Sequence, residues 1–112
     1  MKDSIDRMYL TPAERLVMRT IGLADHELVL HELLEICNES YNKDWKPQTV
    51  STYLSHLVQK GYLKMRRQGR YCYYEPIIDR DSFLKYEGEN FAKYWQLDVK
   101  KLLEFVSKQA EQ

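Results

Sequence analysis

No stretch of this 112-residue sequence is apolar over anything near the roughly 20 residues that span a bilayer. The opening residues, Met1-Lys2-Asp3-Ser4-Ile5-Asp6, also lack the apolar core of a signal peptide. Both absences argue against membrane insertion and lead us to expect a cytoplasmic protein. Cysteine is scarce: Cys37 and Cys72 lie far apart, and neither belongs to a CxxC pair. Cys37 falls on an apolar helical stripe and Cys72 in a strand pattern. Both read as small apolar fillers in a reducing cell, with a redox or metal role as the alternative. Catalytic signatures are missing as well. There is no HExxH, no Gly-rich phosphate loop and no nucleophile elbow. His26 and His31, both read onto the second helix, are five residues apart and do not share a face. His56 falls in the third helix with no obvious Cys or Asp partner. The chain is therefore not expected to be an enzyme, nor to carry a metal or cofactor. Repeats, low-complexity stretches and long linkers are absent too.

A net charge is also missing, since 17 basic residues balance 17 acidic ones. The distribution says more than the sum. Residues 40–74 hold seven basic side chains (Lys43, Lys46, Lys60, Lys64, Arg66, Arg67, Arg70) against Asp44 alone. Acidic segments flank this block on both sides. Such asymmetry suits a surface that meets phosphate.

The coarse pattern is helix, helix, helix, hairpin, helix, helix. Thr11-Pro12-Ala13-Glu14 has the order of a capping box, with Pro12 in the first turn. Leu16, Val17 and Ile21 then give an apolar stripe, and Gly22 is expected to end the helix. A second helix is expected to start near Asp25 and to carry Leu28, Leu30, Leu33, Leu34, Ile36 and Cys37. A third runs from Pro47 to a stop at Gly61. Its Val50, Leu54, Leu57 and Val58 read as inward. Gln48, Ser51, Thr52 and Ser55 share another face, which carries no charge. An ordinary exposed helix face is rich in Lys and Glu, so small hydrogen-bonding side chains there suit a helix that approaches something closely. The period then changes: Tyr62 to Arg67 and Arg70 to Tyr74 read as strands joined by a turn at Gln68-Gly69, with Pro76 as the stop. Asp79 is expected to cap a fourth helix, and a last helix falls near 98–109.

Three helices followed by a basic-tipped hairpin is the order of a winged helix-turn-helix. The fold expected is mainly α with a small β-hairpin, followed by a C-terminal helical dimerisation region. We expect a DNA-binding domain over residues 1–77 and the dimerisation region over 78–112. In that fold the third helix enters the major groove and the hairpin lies along the backbone or in the minor groove. Gln48 can read adenine through a bidentate pair, and Ser51, Thr52 and Ser55 can reach bases or phosphates. Thr49 sits near the helix N-terminus, where amides and dipole favour phosphate. Lys46, Lys60, Arg66, Arg67 and Arg70 would neutralise phosphates without reading sequence. Thr11 joins these DNA-contact candidates. Winged helices also serve as protein-interaction modules, which keeps that reading open.

Several segments carry a family resemblance: Leu10-Thr11-Pro12-Ala13-Glu14, Trp45-Lys46-Pro47-Gln48-Thr49-Val50, Leu57 to Leu63, Gly69 to Pro76, and Asn90-Phe91. In this order and spacing, over roughly residues 8–108, the chain resembles the penicillinase repressor family, which includes methicillin-resistance and copper-responsive repressors. The resemblance implies a homodimer that binds a palindromic double-stranded DNA operator and represses transcription. It also implies, for the antibiotic-responsive branch, relief by proteolysis between Asn90 and Phe91 under a membrane-bound sensor protease system. Three features depart from the family. Lys46 stands where a hydroxyl-type cap is usual, Tyr94-Trp95-Gln96-Leu97 replaces a Gly-Gly pair, and the Cys-rich copper motif is missing. A copper switch of the family type is not expected.

The C-terminal third makes its own case. Tyr86, Phe91, Tyr94, Trp95, Leu97, Leu102, Leu103, Phe105 and Val106 are many large apolar groups for two short helices. Burial against a second copy across a two-fold interface would cover them. An alternative use of some of these aromatics is a small-molecule effector pocket near the dimer junction.

Overall fold

The computed structural model describes residues 10–110. The N-terminal segment inspected above for a signal peptide lies outside them. The chain divides into two compact units, with the boundary between Ile78 and Asp79.

The first unit begins with α1 (Pro12–Leu23). The expected capping box is present: the Thr11 hydroxyl accepts the Glu14 N–H at 3.2 Å, and a Glu14 carboxylate oxygen accepts the Thr11 N–H at 3.0 Å. The helix passes through Gly22 and stops one residue later, where Ala24 turns extended. A Cβ on Gly22 would meet nothing within 4 Å, so the position makes no demand for glycine.

The next element departs from the sequence reading. Leu28 belongs to a two-residue strand, β1 (Leu28–Val29), and α2 (Leu30–Ser40) starts five residues later than Asp25. Glu32 rather than Asp25 serves the helix start, by accepting the Val29 N–H at 3.1 Å. Asp25 bonds His26 instead, at 2.7 Å, so His26 lies ahead of the helix and only His31 is on it. Two residues are too few for strand alternation to register, and Leu28 falls close enough to the helical stripe to be counted with it.

The third helix, α3 (Pro47–Gln59), follows the helix-turn-helix linker. Its exit is a Schellman motif. Gly61 takes φ +84°, its N–H reaches the Val58 carbonyl at 3.1 Å, and the Tyr62 N–H reaches the Leu57 carbonyl at 3.0 Å. β2 (Leu63–Gln68) and β3 (Tyr71–Pro76) then form the hairpin. Gln68 pairs with Tyr71, so the turn residues are Gly69 and Arg70, with Gly69 at φ +64°. A two-residue hairpin loop with glycine first is the connection that matches strand twist. β1 pairs with β3 through Leu28–Tyr74 and Val29–Tyr73, which makes a three-stranded antiparallel sheet of order β1-β3-β2. The sequence alone gave two strands.

Val17, Met18 and Ile21 of α1, Leu33 and Cys37 of α2, Val50, Leu54 and Leu57 of α3, and Leu28 and Leu63 of the sheet are buried together. This is the winged helix-turn-helix core. Cys37 is one of its fillers: burial pushes its thiol above the usual range, against a smaller opposing effect of the Thr20 hydroxyl 3.8 Å away. Val58 departs from expectation and is exposed. It stands about 80° round the helix from Val50, at the edge of the inward arc.

The second unit is a helix pair, α4 (Arg80–Tyr94) and α5 (Val99–Ala110). Asp79 caps α4 as expected, accepting the Ser82 N–H at 2.9 Å, and Asp98 accepts the Lys101 N–H at 2.7 Å at the start of α5. α4 exits through the same motif as α3, with the Leu97 N–H on the Ala92 carbonyl (2.8 Å) and the Gln96 N–H on the Lys93 carbonyl (3.0 Å). Here Gln96 occupies the left-handed position, at φ +58°. Glycine takes that conformation without the Cβ penalty. Gln96→Gly is expected to stabilise this unit by about 0.5–1 kcal/mol. Thermal unfolding followed by circular dichroism checks this as a rise in midpoint; a fall would contradict the assignment.

Candidate nucleic-acid interface

The outward arc of α3 is built by helical arithmetic on its inward arc. Val50, Leu54 and Leu57 are fully buried, which turns Gln48, Ser51, Thr52 and Ser55 to the opposite side, where all four are exposed. Thr49 lies on the flank and is half-buried. The Thr52 hydroxyl donates to the Gln48 carbonyl at 3.0 Å. In that state Thr52 presents outward an acceptor oxygen and a methyl group, while Gln48 retains both amide functions. Lys46, immediately before the helix, is exposed and makes no side-chain cap.

The linker that delivers α3 is held by a residue the sequence reading passed over. Asn38 of α2 uses both ends of its amide on the backbone of Trp45. Its oxygen accepts the Trp45 N–H at 2.9 Å, and its nitrogen donates to the Trp45 carbonyl at 3.0 Å. Trp45 in turn packs edge-on against Tyr53, at 5.1 Å between centroids, with the Lys43 ammonium 5.8 Å over its ring. A polar Asn in a polar stretch gives no sequence signal for such a clamp.

The hairpin separates its three arginines. Arg66 is turned into the sheet: it pairs with Glu27 at 2.5 Å, bonds Gln68 at 2.7 Å and lies 4.8 Å over the Tyr73 ring. The hydrogen bond it donates to Glu27 holds its guanidinium still more firmly protonated. Arg67 and Arg70 are exposed at the tip, and no carboxylate among the described residues pairs with either. The Arg70 guanidinium lies 5.8 Å over Tyr71. Thus Arg66 already has an anion, and the free positive charge of the tip belongs to its two neighbours.

Two further candidates have internal partners. The Thr11 hydroxyl caps α1. Lys60 donates to Glu14 at 2.6 Å, and His56 lies 3.2 Å from the other Glu14 oxygen. Burial raises the Glu14 pKa, but Lys60, the Thr11 amide and His56 together outweigh it and hold the carboxyl below its ordinary 4.5. A depressed carboxylate contributes stability that is complete above the unfolded value and lost as pH falls through the folded one. Acidification below about pH 4.5 is therefore expected to lower the unfolding temperature more steeply in the native chain than in Glu14→Gln. Equal slopes would contradict this.

In the second unit most of the expected interface residues are exposed. Phe91, Tyr94, Trp95, Leu97, Leu103, Phe105 and Val106 are all so, while Tyr86 and Leu102 are half-buried. Asn90 and Phe91 lie inside α4.

Comparison with known proteins decides the family. The penicillinase repressor family profile matches residues 10–112. The chain belongs to the penicillinase repressor family. This family is one of repressors rather than enzymes. The penicillinase repressor of Bacillus licheniformis is 33% identical to this family member over 52 residues, 46% of this chain and 41% of that protein. The match thus spans less than half of that relative. Among solved structures, the DNA-binding domain of the repressor BlaI superposes with a TM-score of 0.55 at 30% identity, covering 63% of this chain and 83% of that one. Monomeric Bacillus licheniformis BlaI in complex with the blaP half-operator gives 0.53 at 30% identity, covering 65% and 85%. A complex structure of hsRosR-S1 gives 0.63 over 97% of this chain and 96% of that one, at 15% identity, which speaks to the fold alone. No helix among the described residues of this penicillinase repressor family member is long and apolar enough to cross a membrane.

Proposed function

We propose that this chain is a cytoplasmic transcriptional repressor that binds a palindromic double-stranded DNA operator as a homodimer. The observation that carries the reading is the pairing, in one compact unit, of an uncharged polar helix face (Gln48, Ser51, Thr52, Ser55) with a hairpin tip whose Arg67 and Arg70 pair with no carboxylate among the described residues. The first set reads base edges and the second meets phosphate, with Lys46 and the amides at the start of α3 as further backbone contacts. Binding of a half-operator by the related BlaI supports this assignment. Selection of bound duplexes from random DNA tests it. A recovered inverted repeat, with half-sites about one helical turn apart, is expected. Retention of no preferred sequence would overturn it.

Relief of repression by cleavage at Asn90-Phe91, under a membrane-bound sensor protease system, belongs to the same reading. A protease needs an extended substrate, so a bond inside α4 is cut only after that end of the helix opens. Gly88 weakens the helix two residues upstream, and a Cβ there would meet nothing within 4 Å. Gly88→Ala is expected to stabilise α4 by about 0.5–1 kcal/mol and so to slow cutting about 2–5-fold. Limited chymotrypsin digestion, with mass spectrometry of cutting at the adjacent Phe91-Ala92 bond, reads the opening of this turn; unchanged cutting would exclude local opening as the gate.

A further inference from the structure

Glu14 is the one charged side chain buried among the described residues, at 2% exposure. A desolvated carboxylate is unfavourable unless its lone pairs are filled. One Glu14 oxygen takes the Thr11 N–H and the Lys60 ammonium, and the other faces His56 Nδ1. His56 and Lys60 are four residues apart and share one flank of the third helix and its cap. That flank borders the outward arc of Gln48, Thr52 and Ser55. The opposite side of α3 is held by Val50, Leu54 and Leu57 in aliphatic packing. Such packing seats the helix, and the charged contacts to Glu14 add a directional restraint on one flank. Rotation matters here. At the roughly 5–6 Å radius of a helix with side chains, a turn of about 10° moves the side-chain tips by about 1 Å. That displacement is enough to spoil a bidentate contact with a base.

We propose that Glu14 is a positioning residue for recognition: by holding His56 and Lys60 from α1, it fixes the rotation of α3 and thereby the discrimination between operator and random DNA. The inference rests on the DNA-binding reading above. It assigns to Lys60 a role in orientation rather than in phosphate contact. A phosphate contact would act on all sequences through the salt dependence, whereas orientation acts on the contacts that read bases.

The test compares Glu14→Gln, Lys60→Met and Lys60→Arg in the full chain, with the selected operator and a random duplex as probes. Each is measured over a range of salt, at a temperature where circular dichroism shows the variant folded. For Glu14→Gln and Lys60→Met the ratio of operator to random affinity is expected to fall about tenfold. For Lys60→Met, random-duplex affinity should stay within about twofold, with an unchanged salt slope. Lys60→Arg keeps the charge facing Glu14 and is expected to retain most of the ratio. Should Glu14→Gln not fold, the two Lys60 variants carry the test alone. An unchanged ratio in folded Lys60→Met, or a parallel fall on both duplexes with a shallower salt slope, would overturn the proposal. Absence of any operator preference in the native protein is a separate outcome, which overturns the DNA-binding reading itself.

Discussion

Replacement of Arg67 and Arg70 together by alanine is expected to weaken DNA binding by about 10–100-fold at 0.1 M salt, on operator and random duplex alike. The slope of log affinity against log salt should become shallower by about two per subunit, and so by about four for the dimer. The size follows from counterion release, which gives about 0.9 in the slope for each phosphate neutralised. Arg66→Ala is expected to change the slope far less, because Glu27 already balances that charge. Its effect should come through a looser hairpin, since the guanidinium also binds Gln68 and covers Tyr73. Electrophoretic retardation or anisotropy over a salt series separates the two. Equal slope changes for Arg66 and Arg67 would show that the ion pair to Glu27 does not shield Arg66. Substitutions at Gln48 or Thr52 form the complementary set: about 1–3 kcal/mol of altered operator preference for each lost base contact, with the salt slope intact.

The second large effect concerns assembly. Leu103→Glu with Phe105→Glu is expected to leave the fold unaltered, since both side chains are more than 60% exposed, and to leave the protein monomeric. Phe91, Tyr94, Trp95 and Val106 add to the exposed apolar surface of the same unit. Burial of each such side chain against a second copy contributes about 1.5–3 kcal/mol, whereas a carboxylate in its place opposes association. Loss of the dimer separates two half-site contacts that are otherwise linked, so operator affinity is expected to fall by about 10²–10⁴-fold. Affinity of a single unit for a half-site should persist. Sedimentation equilibrium reads the assembly and anisotropy reads the DNA binding. A double variant that remains dimeric would mean the interface lies elsewhere.

What could be read without coordinates follows from local chemistry. Thr11 and Glu14 announce a capping box in four residues, Asp79 announces a cap, and Gly61 announces a helix exit, because each depends only on its immediate neighbours in the chain. The inward face of α3 was legible by period, apart from Val58 at its edge. What escaped depends on partners distant in sequence. β1 is a strand only because Tyr73 and Tyr74 lie beside it. Arg66 is neutralised by Glu27, 39 residues away, and Lys60 by Glu14, 46 residues away. The Asn38 clamp on Trp45 closes a loop of seven residues but uses a residue type common in any polar turn. A basic residue near a hairpin or a helix end therefore announces phosphate in the sequence even where the fold has given it an internal carboxylate. The C-terminal apolar surplus was visible from composition, and the exposure of these groups in one chain is the reason they call for a covering partner.

The most direct measurement is a titration of the protein against its selected duplex and a scrambled duplex, at several salt concentrations. A preference for the selected sequence, a linear fall of log affinity with log salt on both duplexes, and two subunits per operator are expected. A protein that stays a single subunit and shows no salt-sensitive retention of either duplex would contradict this expectation.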